Sequence, residues 1–245
     1  MSSKFYGKNF PGILKCLHGG VKMKKILSSA ILSMSILFTT NFATAADISL
    51  PQPNILNSKM LVELLNERKS VREYFDKALT REQLSQILWA ANGITKRYDG
   101  TGHVNPAAMG IYAVDVYAVT ADGIYLYLPE KHSLKLVAKG DFRATTTTGQ
   151  EFVKNAPLNL VYVENILAWK KSPHQMPRQN QIACANIAAG AMSQSVALAA
   201  GAEDLGNCVR GSIDEKAFKQ AAKLSFNQKI ILAQTVGDSP NVPKG

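Results

Sequence analysis

The sequence predicts a single α+β domain in which a central, mostly antiparallel sheet is flanked by helices. Three observations lead to this prediction. Two stretches at the start of the domain have apolar residues at helical spacing, β-rich runs follow in the middle, and a long run of small apolar residues, 181–205, comes after them. With 245 residues, 46% of them apolar and 19% charged, the chain can form a substantial core and is not typical of a disordered protein.

Two amphipathic helices open the predicted domain. The first lies within 58–70, where apolar residues recur at spacings of three and four. The second follows a capping-box pair, Thr80 and Gln83, and ends at Gly93, a residue type favoured just past a helix end. The polar stretch 94–106 is then expected to be a loop.

The middle and the end of the chain supply the strands. Two β-rich runs flank a hairpin signal, Ala121-Asp122-Gly123. The long helix is apolar nearly all round and is therefore expected to be buried. The remaining predicted elements are strands at 133–140, 156–163 and 229–237 and a short helix at 214–224.

The excess of basic residues is concentrated at the start of the chain. The formal net charge is +10, but six lysines and no acidic residue fall within 1–46, which leaves 22 basic against 18 acidic residues, or +4, in the rest. A dispersed excess of that size is too small to indicate binding to a nucleic-acid backbone. The sequence therefore predicts no nucleic-acid partner.

The basic start has the pattern of a targeting segment. Two lysines precede an apolar run, 26–38, which is followed by small residues. This predicts a signal peptide, 23–46, cleaved near Ala45 or Ala46, and an exported, periplasmic protein with no membrane span in its mature form. An uncleaved anchor is the alternative, although the apolar run is short for a span.

The other boundaries follow from this interpretation. Residues 1–22 precede a second methionine, Met23, and are interpreted as an extension from an upstream start codon. Residues 47–57 are predicted to be a linker, 58–240 the folded domain, and 241–245 a tail.

Several kinds of site are excluded by their missing motifs. The chain has no glycine-rich dinucleotide fingerprint, no P-loop and no GxSxG elbow. Its four histidines lack metal-ligand spacing, so no metal site is predicted. Of the three cysteines, Cys184 and Cys208 remain after processing; export allows them to pair, but two separate buried thiols are favoured.

A basic cluster stands where the first predicted helix ends. Arg68, Lys69, Ser70 and Arg72 lie within five residues. On these residues alone three interpretations compete: a solvated surface, a nucleic-acid patch or an anion site. Arginine offers planar paired donors and serine a compact hydroxyl, which suits a phosphate monoester with its charge of about two.

The cluster and two later segments together resemble the nitroreductase family of FMN-dependent oxidoreductases. The segments are "RKSVREY" from Arg68, "NPAAMG" from Asn105 and "VRGSID" from Val209, followed by "ILAQTVG" in the closing strand. They occur in the family's order and cover roughly 58–240. The stretch "LWAANGIT", read with "NPAAMGIYAVDVYAV", resembles the branch that contains the dehydrogenases of thiazole and oxazole biosynthesis.

The resemblance implies a homodimer of nitroreductase-like fold with FMN as its cofactor, and it assigns roles within the cluster. Arg68 and Ser70 would hold the FMN phosphate, and Arg72 would lie near the ribityl chain and the pyrimidine edge of the flavin. A cation there stabilises the anionic reduced ring. Lys69 belongs to the same cofactor-binding group, although its alternating position is expected to turn it toward water.

A loop would cover the flat face of the flavin. By resemblance, Pro106, Ala107, Ala108 and Met109 run along the isoalloxazine ring, where the related branch usually has Pro-Ser-Ala. Small side chains let a backbone approach such a ring closely. A plain connector before the next strand is the alternative.

A turn near the end of the domain would contact the reacting edge of the flavin. The backbone amides of Gly211 and Ser212 would donate to flavin N5 and O4 and, with Arg72, are the predicted catalytic groups. Arg210 is counted among the cofactor-binding residues, facing the flavin, the substrate or solvent. Gln194 on the long helix is expected to pack at the dimer interface.

The implied activity is ping-pong hydride transfer from NAD(P)H or another small-molecule donor, through flavin N5, to a nitroaromatic, quinone or similar acceptor. The alternatives are a flavin-dependent dehydrogenase or oxidase of a small or peptide substrate, and a non-catalytic flavin-binding module. The chain departs from the family at its end, because a Lys-x-Arg that often completes the phosphate site is missing and Gly237-Asp238-Ser239 replaces the usual Gly-Tyr-Pro. Lower flavin affinity or a differently completed phosphate site is therefore expected.

Overall fold

The computed structural model describes residues 47–54, 59–95, 102–172 and 175–242. The predicted extension 1–22, the signal peptide 23–46 and the last three residues of the tail lie outside this part of the chain. Within it the predicted α+β class is confirmed, because one seven-stranded sheet has helices packed on its two faces.

The strands lie in the order β1-β4-β3-β2-β5-β7-β6, and every neighbouring pair is antiparallel. They are β1 Ile48–Ser49, β2 Val114–Val119, β3 Gly123–Leu128, β4 Ser133–Lys139, β5 Leu158–Asn165, β6 Gly206–Arg210 and β7 Gln228–Gly237. The helices are α1 Leu61–Glu67, α2 Arg81–Asn92, α3 Phe152–Asn155, α4 Arg178–Ala202 and α5 Glu215–Ala221. Short 3-10 turns lie at Ala108–Gly110, Pro129–Lys131, Arg143–Thr146 and Ile166–Lys171.

Alternation along β2 divides the core into two layers. Val114 and Val116 belong to the larger layer, in which the sheet packs against α2 and α4. Tyr117 and Val119 belong to the smaller layer on the other face, which includes Phe218 of α5. Both faces of the central strands are thus buried, in keeping with their nearly continuous apolar sequences.

The second helix begins and ends as the sequence predicts. Thr80 Oγ1 accepts from Gln83 N–H at 3.1 Å, and Gln83 Oε1 accepts from Thr80 N–H at 3.1 Å, so the capping box is formed. At the other end a Cβ on Gly93 would lie 2.2 Å from Trp89 Cδ1, and the position therefore requires glycine.

The long helix α4 has two different faces. Ala185, Ala189, Met192 and Val196 are buried in the larger core layer. The opposite face is exposed in the single chain and consists of Ala183, Asn186, Ile187, Gly190 and Gln194. Ile187 is 72% exposed, so the prediction that the helix is buried all round is wrong for this face. Among the described residues α4 is also the one helix with the length and apolar composition of a membrane span, a test that core helices meet as well.

Two strands occupy segments for which the sequence predicts none. β1 lies in the predicted linker 47–57 and pairs with β4, and β6 lies in the predicted turn and pairs with β7. They are 2 and 5 residues long, too short for a period-two pattern to stand out. Their strand conformation depends on the neighbour that each one pairs with.

A neutral histidine fastens the N-terminal segment to the sheet. His132 Nδ1 lies 2.8 Å from the hydroxyl of Tyr127, which donates to it, and Nε2 lies 2.8 Å from Ser85 Oγ and 3.0 Å from the carbonyl oxygen of Pro51. Ser85 Oγ donates to that same carbonyl at 2.6 Å, and Leu50 N–H donates to His132 O at 3.1 Å. Burial lowers the pKa of His132, so the ring keeps its neutral form and both nitrogens stay engaged.

We expect acidification to weaken the folded state through His132. Because its folded pKa lies below the unfolded value of about 6.5, the unfolded chain binds the proton first, and the free energy of unfolding falls as pH drops through and below that value. His132→Asn removes the titrating ring, and asparagine tolerates the left-handed φ of 44° found here. The variant should lose about 1–3 kcal/mol near neutral pH, because Tyr127 and Ser85 lose a partner.

Urea unfolding of both proteins from about pH 8 to about pH 5 measures this effect, since the difference between the two profiles isolates His132 from the other titrating groups. The wild type should lose more stability on acidification than the variant does. Parallel profiles would contradict the assignment.

Candidate functional site

The edge strand β6 organises the region around the basic cluster. After α1 the chain runs extended beside β6, where Val71 N–H donates to Asn207 O at 2.9 Å and Ser70 forms a parallel bridge to Asn207. Asn207 therefore directs its backbone groups away from β7. Successive residues of a strand direct their backbone N–H and C=O groups to opposite sides of the strand. Val209 and then Gly211 therefore direct theirs to the same outer edge of β6 as Asn207 does.

Val71 determines which side chains of the cluster face solvent. It is buried and packs so closely on Gly206 that a Cβ on the glycine would lie 2.9 Å from Val71 Cγ1. In an extended segment the neighbouring side chains point the opposite way, and Ser70 and Arg72 are both exposed. The cluster is thus presented to solvent along the edge of β6.

A cavity of about 360 Å³ opens between α1, α4 and β6 beside this edge. Arg68 and Lys69 line it, whereas Ser70 and Arg72 lie next to it; Lys69 is exposed as expected, yet it borders the cavity. The acidic Glu63 and Glu67 also contribute to the walls, and the floor is apolar, formed by Leu64, Val71, Ala197 and Leu205.

The turn after β6 is exposed to solvent at Gly211. Gly211 is exposed, and a Cβ placed on it would meet no heavy atom within 4 Å. The side chain of Ser212 is held by the segment that contains Thr148, because its Oγ donates to Thr148 O at 3.1 Å and also contacts Thr148 Oγ1. With a rise of about 3.3 Å per residue, these amides lie roughly 17 Å from Gly206, at the far end of β6 from Arg68.

Arg210 has a different role from the predicted one. Alternation along β6 turns its side chain to the face opposite Asn207, where it is only 4% exposed. The guanidinium donates to Thr235 Oγ1 at 2.8 Å, Thr146 O at 2.7 Å and Asn159 Oδ1 at 3.2 Å. Burial lowers its pKa to about 10. Arg210 therefore braces the turn from inside the protein and does not reach the open edge.

Gln150 is a candidate that sequence reasoning missed. It follows Thr148, which contacts Ser212, and it precedes Phe152, whose ring centre lies 6.1 Å from that of Tyr74. Its carboxamide oxygen is buried and has no hydrogen-bond partner among the described residues. Such atoms are rare in folded proteins, and a bound water or ligand can supply the missing donor. No motif or periodicity marks this glutamine, which is why the sequence does not reveal it.

The predicted ring-covering loop is held by a buried asparagine. Asn105 Nδ2 donates to Ala90 O at 2.7 Å and Ala91 O at 2.9 Å at the end of α2, while Ser195 Oγ of α4 donates to Asn105 Oδ1. The loop then runs through Pro106, Ala107 and Ala108 to Met109, which is 49% exposed and has a left-handed φ of 55°. A non-glycine residue in that conformation needs a well-braced segment.

Within one chain the loop and the basic cluster stay apart. The loop borders Ala188 and Met192 of α4, whereas the cavity at Arg68 borders Ala197 and Gly201 of the same helix. From Ala188 to Ala197 the helix rises about 14 Å. The loop and the cavity at Arg68 therefore border different parts of α4.

The remaining candidates are the two cysteines, Gln194 and a metal site. Cys184 on α4 and Cys208 on β6 are separate free thiols, as expected, but only Cys208 is buried and Cys184 is partly exposed. Gln194 is exposed on the outer face of α4. Within the described ranges no cluster of three histidine, cysteine or acidic side chains is arranged to hold a metal ion.

Known proteins resemble this chain in both sequence and fold. The model of the nitroreductase family matches residues 65–238. A protein of Methanocaldococcus jannaschii, provisionally named a nitroreductase, is 35% identical over 115 residues, 43% of this chain; the match spans 57% of that relative, little more than half its length. A crystal structure from Ralstonia eutropha JMP134, also provisionally named a nitroreductase, is 34% identical with a TM-score of 0.73, covering 81% of this chain and 92% of that one.

A third likeness concerns the fold alone. A nitroreductase-like protein from Desulfovibrio desulfuricans, crystallised in complex with FMN, is 20% identical with a TM-score of 0.54. The match covers 76% of this chain and 90% of that one.

Proposed function

Because the chain belongs to the nitroreductase family, whose cofactor is FMN, we propose that it is an FMN-dependent oxidoreductase that alternates between NAD(P)H or another small donor and a nitroaromatic, quinone or similar acceptor. When bound, FMN supplies the two-electron carrier for such a reaction. The protein's own part is to bind the phosphate, position the ring and stabilise the charge that develops on it.

One observation carries this proposal: the outer edge of β6 has exposed cations at one end and open backbone donors at the other. Arg68 and Lys69 line the cavity at the first end, and Ser70 lies beside it. Gly211 lies roughly 17 Å further along, with its backbone directed off the same edge. An elongated molecule with an anionic head and a polar ring fits this order of groups.

The ring end fits a flavin through Gln150 and Arg72. An oxidised isoalloxazine has one N–H, between two carbonyl groups, and a carboxamide can accept from that N–H and donate to a neighbouring carbonyl. The buried oxygen of Gln150 lacks such a donor within the described chain. Tyr74, two residues after Arg72, contacts Phe152, two residues after Gln150, so the two segments lie close together.

The phosphate end is completed differently from the family pattern. The described part of the tail places Val242 on the cavity wall, where no charge is available. Arg68 and Lys69 are then the cations for the phosphate, since the third lysine of the wall, Lys59, is paired with Asp204, and Glu63 and Glu67 oppose them on the same wall. We expect a site that retains FMN less tightly than one with further basic residues.

Arg68→Ala and Arg72→Ala should separate binding from electron transfer. Loss of Arg68 should weaken FMN binding about 10- to 100-fold, because a charge-assisted contact to phosphate is removed. Loss of Arg72 should slow flavin reduction on the order of 100-fold with a smaller effect on binding. Fluorescence titration and stopped-flow reduction measure the two effects.

Lys135→Ala is the matched control, since this exposed lysine lies on β4, at the other end of the sheet. A purified wild type that shows no visible flavin absorbance, even after FMN is added, would overturn the proposed function. Variants that bind and react like the wild type would count against the two assigned roles.

Gln150→Met should change binding and stability in opposite directions. Methionine fills a similar volume without an unsatisfied acceptor, so the apoprotein should be as stable as the wild type or slightly more stable. FMN affinity should fall about tenfold, because the flavin loses a hydrogen bond. Thermal unfolding of apoprotein and FMN titration are the measurements.

Gln86→Met on α2 is the control, since Gln86 also has a buried oxygen without a partner in the described residues. It should leave FMN affinity unchanged. A destabilised Gln150→Met apoprotein with normal FMN affinity would assign Gln150 a purely structural role.

A homodimer would complete the site. One chain keeps the loop at Met109 away from its own Arg68, and a second copy can bring its loop to the first copy's cluster. The exposed face of α4, with Ile187 72% exposed between Ala183 and Gly190, offers a closely approachable surface for such contact.

Ile187→Glu should therefore shift the protein toward monomer and weaken FMN binding with it, because a charge cannot be buried unpaired in the interface. Sedimentation equilibrium with and without FMN measures both. Lys135→Glu changes charge on β4 and should leave the dimer intact. A wild type that is monomeric at all concentrations while binding FMN normally would contradict the shared site.

Export is proposed from the leader pattern at 23–46, and N-terminal sequencing of the protein recovered outside the cytoplasm tests it. A start at Ala46 or Asp47 is the expected result, and an intact leader would contradict cleavage.

The flavin-dependent dehydrogenase remains the second proposal. Turnover that needs no NAD(P)H but requires oxygen or another acceptor would favour it over the first.

A further inference from the structure

A second cavity, of about 380 Å³, opens at the start of β2. Asp115 lines it, and the exposed Glu130 and Lys171 also border it. Met109 and Gly110, the end of the loop described above, form part of the same wall. The cavity is therefore distinct from the one at Arg68, yet it adjoins the loop that covers the proposed ring site.

Asp115 contributes a carboxylate to the cavity wall. It is half-buried on β2, and Asn165 Nδ2 donates to its Oδ2 at 3.3 Å, with support from the Gln228 amide. Among the described residues no basic group lies within ion-pair distance of it. Burial raises the pKa of Asp115 to about 6, and the nearby Glu130 adds to the effect. A partly buried carboxylate with no cationic partner in the described chain would be stabilised by a cation bound beside it.

The histidine in the wall does not supply that cation. His103 Nδ1 lies 2.8 Å from Asn92 Oδ1, and Asn92 Nδ2 donates to Val114 O at 3.3 Å, which fixes the amide so that Nδ1 is the donor. Burial lowers the pKa of His103 and keeps the ring neutral. The imidazole instead stacks on Tyr112, with ring centres 3.6 Å apart and planes inclined by 22°.

Part of the remaining wall is apolar. Ile111, Leu126 and Leu128 border the cavity together with the Tyr112 ring. An ammonium group would pair with Asp115 while an aromatic or aliphatic body covered these surfaces.

We propose that this cavity binds a small molecule that joins a protonated primary amine to an aromatic or aliphatic body, with the amine on Asp115 and the body against Tyr112 and Leu126. Its use as the recess for a reacting substrate rests on the proposed function, because that step depends on the flavin lying beside Met109. Amine binding itself does not depend on FMN.

Benzylamine and benzyl alcohol are suitable probes, since they share a body and differ in the charged group. Near pH 8, where the Asp115 carboxylate is ionised, calorimetric titration of the wild type should show saturable benzylamine binding about tenfold tighter than benzyl alcohol. Asp115→Asn keeps the shape and should abolish that preference. Asp122→Asn, on the exposed β2–β3 turn, is the matched control and should preserve it.

Equal affinity for the two probes, or an unchanged preference in Asp115→Asn, would overturn the proposal. Lys171 has a long side chain on the rim, so Lys171→Gln is needed as a second variant. Amine binding that appears only in Lys171→Gln would show that this lysine already serves Asp115, and it would overturn the proposal too. Because the titration is run on protein with and without FMN, a failure to bind FMN is seen separately and leaves the amine result standing.

Discussion

The hydrogen bond from Val71 N–H to Asn207 O determines how the cluster and the open edge lie in this molecule. It pairs the first half of the β6 edge with the segment after α1 and leaves the second half, from Val209 to the turn, without a neighbouring strand in the described chain. An open edge is normally a liability for a folded protein. Here the exposed side chains of Ser70 and Arg72 flank Val71 beside this edge, so the surface next to the unpaired edge is polar.

Local sequence patterns predicted the elements whose signals are also local. The capping box at Thr80, the hairpin around Asp122 and the exposure of Lys69 follow from neighbouring residues, and the structure has each of them. β1 and β6 could not be predicted, because a short strand takes its conformation from its partner. Arg210 was misjudged for a related reason. Its position next to Gly211 in the sequence says nothing about side-chain direction until the register of β6 against β7 is known.

The two faces of α4 explain why composition misled on burial. Small residues allow close packing equally well against the sheet of the same chain and against a surface from elsewhere, so an apolar count does not separate the two cases. The position of the strands decides which face is buried, because they cover Ala189 and Val196 and leave Ile187 and Gly190 uncovered.

Gln150 is the opposite case, because its sequence context gives no signal and only the structure makes it a candidate. A polar residue in a polar loop attracts no notice in the sequence, and it becomes a candidate only when its oxygen proves to be buried without a partner.

The formal net charge of +10 does not indicate what this protein binds, because its basic and acidic side chains lie in different parts of the molecule. The cations Arg68, Lys69 and Arg72 gather along the β6 edge, where a phosphate and an electron-rich ring would be stabilised. At the start of β2 the sign is reversed: a half-buried carboxylate faces a cavity whose histidine is neutral. Neutral imidazoles at His103 and His132 are a consequence of the same burial, since each uses its nitrogens for hydrogen bonds within the fold. The separation of charge, more than its total, is therefore what fits one face of the molecule to an anionic cofactor and a neighbouring cavity to a cation.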